Sequence, residues 1–247
     1  MALKEEFEKS GNWLFRHRSH LPFLMVPILL LALVNSNRLE KMFGERVETA
    51  WEIFSVLVSL AGYAVRCLTV GWVPEGTSGR NTKGQLAESL NVDGIYSVVR
   101  HPLYLGNFLL LLGIVLFVEV WWFALIFVLS FWLYYERIMY AEEAFLTHKF
   151  GEDYTFWASK TPAFWPRLSA WHSPKLKFSF RMMFKREYTT LMGLAVGYVA
   201  LAFSKEIFTG HGLEFHFFWG ILLAAAFTFY FTLRYLRKKT KFFTITR

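Results

Sequence analysis

The sequence predicts an all-α, polytopic integral membrane protein with about six transmembrane helices, a tight helical hairpin at its centre and a polar site at one membrane face. Hydrophobic residues make up 55% of the 247 positions and aromatic ones 19%, with a mean hydropathy of +0.32. They fall in long blocks rather than in period-two or period-3.6 patterns, which is the mark of membrane spans. The net charge of +8 comes from basic residues set beside those blocks, which favours a membrane surface over nucleic acid. A single cysteine, Cys67, excludes an internal disulfide and a Cys-based zinc site, and reads as a small packing residue.

Three segments are expected: 1–20, 21–188 and 189–247. The first is basic with interleaved Phe7, Trp13, Leu14 and Phe15, as in an amphipathic helix lying on the membrane. It lacks the pattern of a cleavable signal peptide. The block 21–34 is short for a span. A second span covers 49–72 and carries Arg66. A polar loop follows over 73–99, with Pro74, Gly76, Gly79, Gly84 and the turn signal Asn91-Val92-Asp93-Gly94. Two apolar blocks, 103–118 and 120–135, are separated by Glu119 alone, and their combined length exceeds one straight span. They are expected to form the hairpin.

A second polar stretch runs over 136–188, helical over 141–150 and irregular over the Pro- and Trp-rich 161–174. Spans at 189–203 and 215–236 follow, with Gly193, Ala195 and Gly197 suited to close helix packing. Six spans put both ends and both polar stretches on one side, with 22 of the 27 basic residues when Arg234 at the end of the last span is counted with the tail; the opposite loops hold only Arg38, Lys41, Arg46 and Lys205. The side rich in Lys and Arg is the cytoplasmic one.

The stretch Gly94-Ile-Tyr-Ser-Val-Val-Arg-His-Pro-Leu-Tyr-Leu-Gly106 opens the hairpin. Pro102 suits the first turn of a helix, Arg100 and His101 fall at its entrance near free backbone N–H groups, and Tyr104 and Phe108 share a face. Closing the hairpin brings Arg100, His101 and Tyr104 near Glu136, Arg137, Glu142 and Glu143. Charges so close to hydrocarbon are costly unless paired or functional. The isolated His17, His20, His211 and His216 do not form a metal site.

Two motifs in series, Gly94-x-Tyr96-x-x-x-Arg100-His-Pro-x-Tyr104-x-Gly106 and Glu142-Glu143-x-x-Leu146-x-x-x-Phe150-Gly151-x-x-Tyr154, with Pro162 and Pro166 after them, resemble the isoprenylcysteine carboxyl methyltransferase and phospholipid methyltransferase group. The resemblance covers about residues 60 to 166 and includes Gly62-x-x-x-Arg66-x-x-x-x-Gly71. Trp157 departs from it, standing where many members have tyrosine, and the last two spans lie outside the usual core.

The resemblance implies a membrane enzyme that uses S-adenosyl-L-methionine. It implies a cofactor cluster of His101, Tyr104, Glu142 and Glu143, with Tyr96, Pro102, Leu103 and Gly106 beside it. Arg66 and Arg100 are then candidates to orient an anionic acceptor through a bidentate guanidinium pair, with Glu142 as the third catalytic candidate. The acceptor would be a lipid or lipidated molecule entering from the bilayer. A carboxylate or phosphate is favoured, such as an isoprenylcysteine carboxylate or a lipid A phosphate, with a phospholipid amine as the alternative. Two other functions compete: an NADPH-dependent sterol-type reductase, and a non-enzymatic scaffold whose basic faces bind anionic lipid.

Overall fold

A computed structural model describes residues 2–18, 21–36, 38–74, 77, 85, 87–209 and 217–243. Gly76, Gly79, Gly84, His20, His211 and His216 lie outside the described residues. The first half of the chain forms α1 (Leu3–His17), a 3-10 turn leading into α2 (Val26–Leu33), α3 (Arg38–Phe43), α4 (Glu45–Trp72) and the single turn α5 (Ile95–Val98). The second half forms α6 (Pro102–Leu116), α7 (Trp121–Phe150), α8 (Glu152–Lys160), α9 (Phe180–Thr209) and α10 (Phe217–Lys239). Among the described residues the only bridge between extended segments joins Gly94 to His172.

All six apolar blocks are helical. Four helices are long and apolar enough to cross a membrane: α4, α7, α9 and α10. Phe23–Leu33 and Pro102–Leu116 are shorter, and at 1.5 Å per residue α6 reaches only about 22 Å. Helix α7 does the opposite. Its 30 residues extend about 45 Å, well past a hydrocarbon core of about 30 Å. The span expected at 120–135 and the helix expected at 141–150 are therefore one rod, whose last ten residues project from the apolar layer and carry Glu142 and Glu143.

Small residues let α4 and α6 touch. A Cβ at Gly62 or Gly113 would overlap backbone of the facing helix. Backbone and hydroxyl groups inside an apolar layer need partners within the protein, and here they have them. Ser59 Oγ donates to Leu110 O at 2.7 Å, Tyr198 Oη to Ser55 O at 3.0 Å and Trp51 Nε1 to Leu116 O at 2.8 Å. These bonds tie α4 to both α6 and α9. Gly197 meets Ile114, whereas Gly193 faces open space, so only one of the two glycines serves packing within the chain.

The hairpin turns through Glu119, whose φ of 64° is left-handed. That conformation costs a non-glycine residue about 1–2 kcal/mol. Its side chain is fully buried against Lys205, which also meets Glu48 at 3.1 Å and Glu52 at 2.8 Å. One ammonium thus joins α4, the hairpin tip and α9 at the end of the bundle where α4 begins.

Candidate active site

The Arg-His-Pro stretch is held at the other end by backbone pairing with the irregular segment after α8. Arg100 N donates to Pro162 O at 2.9 Å and His101 N to Ala163 O at 3.2 Å. Arg167 N donates to Val98 O at 3.0 Å, and Gly94 N to His172 O at 3.0 Å. Gly94 has φ 62° and ψ −129°, a region open in practice to glycine alone. At the start of α6 itself, the N–H groups of Tyr104 and Leu105 both donate to His101 O at 3.1 Å.

The side chains of this stretch converge. His101 lies between two carboxylates of α7, with Nε2 2.9 Å from Glu143 Oε1 and Nδ1 3.6 Å from Glu142 Oε2. Burial alone would push the imidazole pKa down, but the two facing carboxylates outweigh it and raise the pKa above its usual value. Glu143 also meets Arg100 at 3.3 Å. Tyr104, one turn on, stacks on the His101 ring with centroids 5.5 Å apart. It continues into Tyr135 at 4.9 Å and Phe131 beyond. Phe108 meets Phe127 and Phe131, so the face shared by Tyr104 and Phe108 is the one that packs on α7.

A second polar group lies deeper. Arg66 Nε and Nη2 donate to the two carboxylate oxygens of Glu187 at 2.9 and 2.8 Å. Its third nitrogen reaches Asn107 Oδ1, and Asn107 Nδ2 donates to Tyr135 Oη at 3.3 Å. Glu187 is 1% exposed, so the pair has almost no solvent screening. Tyr135 precedes Glu142 by seven residues on α7, which places this group about 10 Å further into the layer.

Both groups open onto one cavity of about 380 Å³, a volume typical of small-molecule sites. Arg66, Tyr96, Arg100, His101, Pro102, Leu103, Tyr104 and Glu142 all line it. Two expected residues do not. Glu143 stands behind His101 and Arg100 and acts on the wall through them. Gly106 packs against α4, where a Cβ would lie 3.0 Å from Gly62 O and closer still to Arg66 Cγ; it is a helix contact that lets α4 approach. Arg137 is also elsewhere, its guanidinium 5.4 Å from the Phe7 ring. His17 contacts Trp13 O at 2.8 Å and stacks on that residue's ring.

Some of the wall was not anticipated. Helix α1 lies along the projecting end of α7 rather than only on the membrane, with Gly11 against the Arg137 carbonyl and Tyr134 Oη 3.3 Å from Leu14 O. It brings Phe15 and Arg18 to the cavity. Asn107, Tyr135, Arg186 and Glu187 also line it. A polar residue inside or beside an apolar span signals function by its cost, and that signal marks Asn107 and Glu187 in the sequence. Three buried donors of wall residues, Arg100 Nε, Tyr154 Oη and Trp157 Nε1, have no hydrogen-bond partner among the described residues.

A family model described as phospholipid methyltransferase matches residues 74–153. That stretch carries the first motif, the second up to the residue before Tyr154, and all of the His101 cluster. The nickel-cobalt-cadmium resistance protein NccN of Alcaligenes xylosoxydans xylosoxydans is 32% identical over 164 residues, 66% of this chain and 70% of that protein. The chain belongs to the phospholipid and isoprenylcysteine methyltransferase family of integral membrane proteins. The cobalt-zinc-cadmium resistance protein CzcN of Cupriavidus metallidurans is 34% identical over 161 residues, 64% of this chain and 68% of that protein. Protein-S-isoprenylcysteine O-methyltransferase of Schizosaccharomyces pombe is 36% identical over 74 residues, 30% and 31% of the two chains. No solved structure matches. Within this methyltransferase family member, Arg66, Arg186 and Glu187 stand outside the matched stretch, whereas Asn107 and Tyr135 of the deeper group lie inside it.

Proposed function

We propose that this chain transfers a methyl group from S-adenosyl-L-methionine to the anionic head of a membrane lipid or lipidated acceptor, at the cytoplasmic face. The observation that carries the reading is the joint cavity of Arg100, His101, Tyr104 and Glu142, built on the two motifs of a methyltransferase family. The unpartnered donors Arg100 Nε and Trp157 Nε1 fit a ligand that brings acceptor atoms, as a carboxylate, ribose oxygens and adenine nitrogens do. Glu142 suits an ammonium or ribose hydroxyls, and the faces of Tyr96, Tyr104 and Phe145 suit a sulfonium and a purine. When bound, S-adenosylmethionine would supply an electrophilic methyl group for in-line displacement by an acceptor oxygen.

The chain's own part is to hold both reactants in line and keep water out, which accounts for large rate effects without a covalent step. The carboxylates of Glu142 and Glu143 raise the His101 pKa and favour its protonated form, which suits it to hydrogen-bond donation. A carboxylate or phosphate oxygen arrives deprotonated at neutral pH and needs no base; a phospholipid ammonium would. This favours the anionic acceptor. The basic distribution along the sequence supports a cytoplasmic cavity with both ends of the chain on that side. Two relatives carry metal-resistance names, yet the carboxylates with ion-like spacing among the described residues, Glu48, Glu52 and Glu119, are bridged by the Lys205 ammonium.

Calorimetry of detergent-purified protein with S-adenosylmethionine and its demethylated product tests the donor. Folded protein that binds neither, or that binds NADPH instead, removes the reading. Mass spectrometry of total lipids with and without the gene then identifies an acceptor as a species heavier by one CH2.

A further inference from the structure

We infer that the basic end of the α9–α10 pair binds the headgroup of an anionic phospholipid, whose acyl chains lie along α10. The sequence supplies the charge. Over 173–186 there are five Lys or Arg and no Asp or Glu, and over 215–247 there are six and again no acidic residue. The fold brings the two lengths together. Tyr188 and Phe184, near the start of α9, meet Tyr230 and Phe229 of α10 with ring centroids 5.3 and 5.9 Å apart. Phe243, beyond the end of α10, is buried in one cluster with Tyr188 and Leu233.

The charge gathered there is held in place but not cancelled. Arg234 Nη1 donates to Tyr230 Oη at 2.6 Å and Arg237 Nη1 to Tyr188 Oη at 3.4 Å, while the Arg181 guanidinium lies 5.2 Å from the Phe242 ring. Phenol hydroxyls and aromatic faces fix a guanidinium without neutralising it. Among the described residues none of these three arginines meets a carboxylate. All three are exposed, and none lines the cavity. Sidedness alone asks only for Lys and Arg at the right end of a span; seats on aromatic groups from two helices make a defined place.

The adjoining face of α10 has the profile of a lipid. Phe227, Phe231, Arg234 and Lys238 recur at intervals of four, three and four residues and so share one side. Phe227 and Phe231 are 42% and 57% exposed within a helix apolar enough to cross a membrane, and Arg234 and Lys238 stand at its end. Acyl chains suit the first pair. A phosphate suits the second, because a guanidinium fork matches two phosphate oxygens and Lys and Arg clustered beside a span attract anionic lipid.

The test is native mass spectrometry of the full chain in detergent, mixed with equal amounts of phosphatidylglycerol and phosphatidylcholine of the same acyl chains. The wild type is expected to retain phosphatidylglycerol at least five-fold over phosphatidylcholine. The triple variant Arg181→Gln, Arg234→Gln, Arg237→Gln should cut that preference to two-fold or less. An equal loss of charge on α1, through Lys4→Gln, Lys9→Gln and Arg16→Gln, should leave it at five-fold. Lys at positions 181, 234 and 237 keeps the charge, should hold the preference above two-fold, and guards against a folding defect in the Gln triple. The site is overturned by a preference that is missing from the wild type, survives the Gln triple, falls equally in the α1 triple or disappears with the three lysines. Displacement of the lipid by inorganic phosphate at matched ionic strength also overturns it, by making the patch a site for the free ion.

Discussion

Glu187 holds the guanidinium of Arg66 at two points, 2.8 and 2.9 Å, from a helix that begins 27 residues after the family model ends. The pair is the buried link between α4 and α9 on the cavity side. Removing one member strands a charge, a loss of about 3–5 kcal/mol. Glu187→Gln should therefore lower the melting temperature in detergent markedly. The double variant Arg66→Met with Glu187→Gln should recover much of that loss, because the stranded charge goes too. Equal melting of the single and double variants would show that the pair carries no coupling.

Trp157 offers a prediction with two signs. Its buried Nε1 lacks a partner among the described residues, and leaving such a donor unmade costs about 1–3 kcal/mol. Trp157→Phe should raise the melting temperature of the ligand-free protein slightly and weaken S-adenosylmethionine binding about ten-fold. Calorimetry and thermal melts read the two effects separately. A variant that loses stability and keeps donor affinity would place the indole in packing alone.

The His101 pKa is raised by Glu142 and Glu143 above the usual 6.5. A raised folded value contributes stability that is fully present below about pH 6.5 and is lost as pH rises through the folded value. Melting temperature should thus decline as pH climbs above 6.5, and His101→Gln should flatten that slope. A wild-type slope that persists unchanged in His101→Gln would assign it to another group.

Gly11 seats α1 on α7. A Cβ there would overlap the Arg137 carbonyl and come within 2.8 Å of Ala141 Cβ. Gly11→Val should lift α1, and with it Phe15 and Arg18, from the cavity. Donor affinity should fall about ten-fold, the equivalent of about 1.4 kcal/mol, while circular dichroism still reports a helical core. Unchanged affinity would make α1 a bystander.

The fold was largely legible because apolar blocks and the positions of Lys and Arg determine spans directly. The convergence of Arg100, His101, Tyr104 and Glu142 on one cavity was legible too, since they sit in two short motifs that a single hairpin closes together. The pairing of Arg66 with Glu187 was not. Arg66 and Glu187 are 121 residues apart, and no periodicity within either helix says which face meets the other. Gly106, expected beside the cofactor because it sits in the motif, packs against Gly62 and Arg66 of α4, a contact the motif does not name. The interleaved aromatic residues of α1 say that one face is apolar but not what it meets, and its packing on α7 at Gly11 was not legible.

The division of the cavity between two lengths of chain has a consequence for engineering. The His101 end comes from the α6–α7 hairpin, and the opposite end joins Arg66 of α4 and Asn107 of α6 to Glu187 of α9. A chimera that exchanges only residues around 180–190 between family members therefore has to keep a carboxylate opposite Arg66, or the α4 guanidinium is left buried without its counter-charge.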